Sequence, residues 1–287
     1  MSGWTLGVLG GSGLYDVEGL QDVRRETVDT PWGAPSGELV SGELGGVRLV
    51  FLPRHGPCHR IPPSEVNARA NIHALKAAGC TDVLSLSAVG SLREDLPPRT
   101  FVVVDQYVDR TVARPKSFFG EGLVAHVSMA DPTCPRLSAL AAAAAREAGA
   151  NVVEGGTYLC IEGPQFSTRA ESELYRSWGC DVIGMTNMPE AKLAREAELP
   201  YASVCMVTDY DCWRPDCEGV DVSHVIEHLI ANTAAAKALL ELLAPRLAGE
   251  RQPSPIDAAL EHAIITAPGA RDPELAGRLK VVAGRVL

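Results

Sequence analysis

The stretch GVLGGSGLYDV, Gly7 to Val17, places four glycines (Gly7, Gly10, Gly11, Gly13) directly behind a short apolar run. A strand that runs into closely spaced glycines turns tightly and brings backbone N–H groups near a ligand, most often one carrying phosphate. Two standard loops of this kind exist. A dinucleotide fingerprint reads G-x-G-x-x-G into a helix, whereas Gly11-Ser12-Gly13 is followed by Leu14-Tyr15-Asp16-Val17-Glu18-Gly19, with no third glycine in register. A Walker loop needs Gly-Lys-Ser or Gly-Lys-Thr, which is absent. By itself the loop reads as a phosphate cradle or as a plain glycine turn.

Outward from the loop, short apolar runs at Val47 to Leu52, Asp82 to Leu86, Phe101 to Val104, Tyr158 to Ile161, Asp181 to Met185 and Tyr201 to Val207 predict buried strands. Helical stretches lie between several of them. One opens at Pro63-Ser64-Glu65, with Ser64 as its cap, and runs to Ala78 before Gly79. Others cover Leu137 to Ala148, Thr168 to Trp178, Pro189 to Glu198 and Val222 to Leu247. Strands alternating with helices predict a single α/β domain, a mixed and mainly parallel sheet flanked by helices. Residues 1–248 form that domain. The polar, proline-bearing Gly249 to Pro255 leads into a helical tail, residues 249–287, expected to pack on the same domain or on a neighbouring subunit.

With 287 residues, 46% of them hydrophobic, the chain can bury a full core. Its net charge of −10 argues against nucleic acid and acidic membrane surfaces, which attract clustered Lys and Arg. Neither a signal-like segment nor a membrane-length apolar run is visible, so a soluble, cytoplasmic protein is expected. The eight cysteines (58, 80, 134, 160, 180, 205, 212, 217) form no CxxC pair, which points away from a zinc or redox site. They read as idle thiols, although Cys205, Cys212 and Cys217 lie near enough in sequence to admit a disulfide.

Sites in such folds collect at the carboxyl ends of strands. There the sequence offers Ser12, Arg54-His55, Ser87-Ala88 and Thr186. An arginine, a histidine, hydroxyls and backbone amides are the donors that one free phosphate needs, and Arg grips phosphate bidentately. Taken singly, each has a bland reading as a salt bridge, a capped loop histidine or a turn residue. Their shared position at strand exits favours the cage. At a further exit, Thr208-Asp209-Tyr210-Asp211 puts two carboxylates at i, i+2, on the same side of an extended segment. Both can face one ligand and accept from amino groups, or one can be protonated and donate. A metal site is less favoured, because no His or further carboxylate stands at ligand spacing.

The segments GVLGGSGL, PRHGPCHRIPPSEVNARANIHALKAAGC, SAVGSLRED, DQYVDRT, CIEGPQFSTRAE, GMTNMPEAKLARE and TDYDCW resemble the trimeric purine nucleoside phosphorylase family, at its 5'-methylthioadenosine-cleaving branch, over Gly7 to Leu247. The resemblance implies a homotrimer that recycles methylthioadenosine. It also implies phosphate as a co-substrate, held by Ser12, Arg54, His55, Ser87, Ala88 and Thr186, with no metal or organic cofactor. Met185 would lie against the ribose, Phe166 against the purine, and Asp209, Tyr210 and Asp211 would read adenine, Asp209 as the catalytic acid. Ser167, Val222, Val225 and Ile226 would form a small apolar 5' pocket, with His126 near the 5' substituent. Two positions depart from the family's pattern: Ser12 replaces the usual threonine, and Ser87-Ala88-Val89-Gly90-Ser91 replaces Thr-Ala-Cys-Gly-Ser. Both keep the hydroxyl.

The competing readings are a 6-oxopurine or methylthioinosine phosphorylase, for which Asn187 beside Met185-Thr186 leaves room, a nicotinamide-dependent dehydrogenase built on the glycine loop, and a non-catalytic nucleoside-binding module.

Overall fold

The computed structural model of the chain describes residues 3–11, 14, 17–214 and 222–287, without the side chains of residues 222–226 and 229. Ser12, Cys217 and the side chains of Val222, Val225 and Ile226 therefore lie outside the described residues.

The described residues form eleven strands of one sheet: β1 (Thr5–Gly10), β2 (Gln21–Glu26), β3 (Leu39–Leu44), β4 (Val47–Pro53), β5 (Asp82–Ser91), β6 (Thr100–Val104), β7 (Gln106–Asp109), β8 (Asn151–Glu154), β9 (Thr157–Cys160), β10 (Val182–Gly184) and β11 (Tyr201–Asp209). Helices α1 (Ala68–Ala77), α2 (Pro135–Glu147), α3 (Arg169–Ser177), α4 (Asn187–Glu196) and α5 (Val222–Arg246) flank it, and α6 (Pro273–Arg278) and α7 (Lys280–Ala283) belong to the tail. β5 is the hub. β1 pairs in parallel with its first half, β10 pairs antiparallel with Gly90 and Ser91 at its end, and β11 runs parallel along its other edge. The sheet is mixed: β1–β4, β6–β8, β7–β9 and β9–β10 are parallel, while β2–β3, β3–β4 and β6–β11 are antiparallel.

Both faces of the central strands are buried, which is why these strands read as continuous apolar runs. Leu6, Val8, Leu49 and Phe51 face a core shared with α2 and α5. Their neighbours Leu9, Val50 and Leu52 face the opposite way, into a core shared with α1, α4 and the tail. That division is the period of two of a pleated strand. The tail contributes Leu260, Leu279, Val282 and Ala283 to this second core, so it packs on the body of its own chain. It is built of turns and two short helices, and Arg251 fastens it to the buried Asp82.

One local expectation is corrected. Pro63–Glu65 forms a separate 3-10 turn, and Asn67, whose side chain accepts from Ala70 N, caps α1 in place of Ser64. α3 starts as its sequence suggests, with Thr168 and Glu171 closing a capping box. Cys205 and Cys212 are free thiols, and no helix among the described residues is long and apolar enough to cross a membrane.

Candidate active site

The carboxyl ends of β1, β4, β5, β10 and β11 open into one cavity of about 330 Å3. Its wall includes Arg54, His55, Ser87, Ala88, Phe166, Ser167, Met185, Thr186, Asp209 and Asp211, so the strand exits that the sequence singles out converge on one place. The Ser87 and Thr186 hydroxyls, 99 positions apart in the chain, lie 2.7 Å from each other.

Arg54 is placed there differently from expectation. It is 2% exposed, and its Nε and Nη2 donate to both oxygens of Glu190, itself 1% exposed. Nη2 also donates to Ser85 Oγ (2.8 Å), and Nη1 donates to the Leu86 carbonyl (3.1 Å). The bidentate fork of Nε and Nη2 thus grips Glu190, while Nη1 bonds the Leu86 carbonyl and Arg54 still lines the cavity. Among the described lining residues the one permanent cation is already neutralised. A phosphate here meets mainly neutral hydrogen-bond donors. His55 Nδ1 lies 3.0 Å from the Ile61 carbonyl, and its ring stacks on His59 at 4.2 Å. Burial, reinforced by the Arg54 charge, lowers the His55 imidazole to about 4, so it is neutral near pH 7.

The opposite wall carries the carboxylates. A register shift in β11 between Val207 and Asp209 turns Asp209 toward the cavity. Asp209 Oδ2 accepts from the Thr208 hydroxyl (2.7 Å) and Oδ1 from the Asp211 N–H (2.7 Å). Burial nevertheless pushes its carboxyl up, against those hydrogen bonds. Asp211 is buried as well, and burial, with the Asp209 charge adding to it, pushes its carboxyl up to about 6. Among the described residues, Asp211 Oδ2 and Ser167 Oγ have no hydrogen-bond partner of good geometry, although the Ser172 hydroxyl nearby tempers the Asp211 shift. Two carboxyls with raised affinity for protons and unspent acceptor capacity suit a base edge that both donates and accepts.

The Asp211 shift has a testable sign. The folded chain keeps a proton on Asp211 that the unfolded chain has released between about pH 4 and 6, so this group's contribution to stability falls as pH rises through that window and is level above it. Asp211→Asn should flatten the melting temperature against pH over that range. An unchanged slope would assign the titration to another group.

Gly90 makes room for this wall. A Cβ there would lie 2.9 Å from Asp209 Oδ1 and 3.1 Å from Ile183 Cγ2. Gly90→Ala should therefore displace the Asp209 carboxylate and lower kcat by up to about 10²-fold, since an error near 1 Å in a reacting group has that scale of cost. Steady-state kinetics alongside a melting curve checks it, and an unchanged kcat would mean that Asp209 does not act from this position.

Two expected residues are not brought to the cavity. Tyr210 points away, its hydroxyl donating to the Glu94 carbonyl (3.3 Å) and its ring under the Arg214 guanidinium, because side chains alternate along the segment. His126 is exposed, its N–H donating to the Ala263 carbonyl of the tail, and it does not line the cavity of its own chain. Asn187 is fully buried beneath the site, its Nδ2 donating to Ser203 Oγ (2.6 Å), which removes the support it lent to a 6-oxopurine reading.

Residues without a sequence signal also matter. Glu190 falls in an ordinary helical run, and Thr233 enters the cavity from α5. Arg114 is buried and donates to the carbonyls of Met185 (2.7 Å), Met188 (2.8 Å) and Glu162 (2.6 Å), tying the turn after β10 to the segment after β9. Among the described residues, no three His, Cys, Asp or Glu side chains gather to hold a metal ion.

This sheet and strand-end cavity have known counterparts: the chain belongs to the phosphorylase superfamily, whose family model matches residues 5–244. It is 60% identical to the S-methyl-5'-thioadenosine phosphorylase of Cereibacter sphaeroides over 284 residues, 98% of each chain. Among solved structures it resembles a methylthioadenosine phosphorylase from an antarctic soil metagenomic library, with a TM-score of 0.92, 46% identity and coverage of 98% of this chain and 99% of that one. It also resembles the Schistosoma mansoni methylthioadenosine phosphorylase in complex with adenine, with a TM-score of 0.80, 38% identity and 98% coverage of both. Superfamily membership replaces the dehydrogenase reading of the glycine loop.

Proposed function

We propose that this chain cleaves 5'-methylthioadenosine with inorganic phosphate, giving adenine and 5-methylthioribose 1-phosphate. The observation that carries the reading is the meeting, in one cavity, of a donor wall (Arg54, His55, Ser87, Ala88, Thr186) with a carboxyl wall (Asp209, Asp211). Relatives at up to 60% identity that carry this activity in their names support it.

Adenine presents an N6 amino donor and an N7 acceptor. Asp211 Oδ2, unpartnered among the described residues, accepts from the amino group, while Asp209 donates to N7. A 6-oxopurine would set an acceptor against an acceptor. Breaking the N-glycosidic bond leaves positive charge on the sugar, in the oxocarbenium manner of glycoside chemistry. The departing base gains electrons, so a proton from Asp209 at N7 eases its departure. Phosphate, held by the donor wall with Ser12, attacks C1' at short range, and its negative charge stabilises the cationic sugar. Because Glu190 already neutralises Arg54, that charge is left free to act on the sugar rather than being cancelled by the arginine.

Met185 packs against the ribose and Phe166, 49% exposed at the rim, against the purine. Ser167, which lines the cavity, is assigned to the 5' pocket, a role the family resemblance also gives Val222, Val225 and Ile226, whose side chains lie outside the described residues. The reaction uses no metal or organic cofactor, with phosphate as the co-substrate. The working form is a homotrimer, in keeping with the exposed apolar Val112, Leu174 and Trp178, and it works in the cytoplasm.

The direct test follows the phosphorus: on adding methylthioadenosine to enzyme and inorganic phosphate, 31P NMR should show the phosphate resonance converting to a sugar phosphate. Adenine release with the phosphate resonance unchanged would overturn the proposal.

A further inference from the structure

The donor wall is completed from behind by a residue outside the cavity lining. Tyr158, on β9, is fully buried. Its hydroxyl oxygen accepts from Thr186 N (3.2 Å) and lies 3.3 Å from Thr186 Oγ1. Gly184 lets it through: a Cβ at that position would stand 2.1 Å from the Tyr158 oxygen and 2.8 Å from its Cζ. Of the residues the chain could place there, only glycine allows the phenol to cross β10 and reach Thr186.

The hydrogens can then be followed. A phosphate dianion only accepts, so each hydroxyl that holds it must turn its hydrogen outward. The Ser87 and Thr186 hydroxyls, 2.7 Å apart, can instead satisfy each other, and Thr186 Oγ1 can also donate to Asn187 Oδ1 (3.3 Å). That amide oxygen already accepts from Ser85 Oγ (3.3 Å). The phenol oxygen has spent acceptor capacity on Thr186 N–H, and its own hydrogen has Thr186 Oγ1 within reach. Burial keeps the phenol far above the ordinary tyrosine range, so that hydrogen is always present.

We propose that Tyr158 is a positioning residue for phosphate: its O–H occupies a lone pair of Thr186 Oγ1 and its oxygen anchors Thr186 N–H, turning the Thr186 hydroxyl hydrogen toward the phosphate. The inference rests on the reading of Thr186 as a phosphate donor. It makes the orientation of a neutral hydroxyl, in a site whose arginine is already paired, a determinant of phosphate affinity.

The experiment measures KM for phosphate and for methylthioadenosine in Tyr158→Phe, Thr186→Val and the double variant. Tyr158→Phe should raise the phosphate KM roughly tenfold, the scale of one hydrogen bond to a charged group, and leave the nucleoside KM within about twofold. The double variant should be no worse than Thr186→Val alone, because the phenol acts through Thr186. Should Tyr158→Phe not fold, Tyr158→Met, whose flexible apolar chain fills a similar space without a donor, carries the same test. An unchanged phosphate KM in the Tyr158 variant, an equal rise in both KM values, or effects that multiply in the double variant would overturn the inference. An unchanged phosphate KM in Thr186→Val would overturn the phosphate-site reading itself, and the role of Tyr158 with it.

Discussion

Asp209→Asn is expected to lower kcat by about 10²–10⁴-fold, the contribution of a positioned general acid, while the KM for methylthioadenosine changes little. The asparagine amide has nearly the shape of the carboxyl and can still hydrogen-bond to N7, but it cannot give up a proton as the base departs. The pocket accommodates it. The Thr208 hydroxyl, which donates to Asp209 Oδ2, also has the Val89 carbonyl at 3.2 Å and can turn to it. The same change should alter base preference, because the second N–H of the asparagine amide can turn toward O6 of a 6-oxopurine, where Asp211 alone sets an acceptor against an acceptor. Single-turnover kinetics on methylthioadenosine and methylthioinosine separates the two effects. A variant with undiminished turnover on methylthioadenosine would show that the proton at N7 comes from elsewhere.

The second large effect lies below the site. Glu190→Ala leaves the Arg54 guanidinium buried without its counter-charge, and breaking such a pair costs about 3–5 kcal/mol. Burial disfavours that cation, but the Glu190 charge and hydrogen bonds outweigh it and hold Arg54 above its ordinary range. Arg54 therefore has no route to relief by losing its proton. Tyr201, whose hydroxyl donates to Glu190 Oε2 (3.2 Å), loses its acceptor in the same step. The variant should melt well below the wild type, and inorganic phosphate should raise its melting temperature more than it raises that of the wild type, because an anion in the cavity replaces the lost charge beside Arg54. Equal stabilisation of both proteins by phosphate would mean that Arg54 does not feel the phosphate position.

The parts of the fold that are buried on both faces were the legible ones. Val47 to Leu52 and Tyr201 to Val207 announce themselves as strands because neither face tolerates polar residues, and their exits, fixed by chain direction, carried the site residues with them. β2, with every residue exposed and the sequence QDVRRE, has no apolar face to signal a strand and is held by its pairing to β3. The site divides in the same way. Asp209 and Asp211 were legible as a pair, but their raised proton affinity depends on burial that only the packed chain creates. Arg54 is legible at a strand exit, but its pairing with Glu190 is not: Glu190 lies 136 positions away, and no local pattern couples the two. Tyr158 reads as one more apolar strand residue until its approach to Thr186 past Gly184 is seen.

The central claim, phosphorolysis of an adenine nucleoside with a small 5' group, is tested most directly by base release from methylthioadenosine, adenosine, methylthioinosine and inosine, each with and without phosphate, resolved by chromatography. Adenine should appear fastest from methylthioadenosine, and only when phosphate is present. Hypoxanthine released in preference, or base released without phosphate, would contradict the account, the first at the Asp209–Asp211 wall and the second at the donor wall around Thr186.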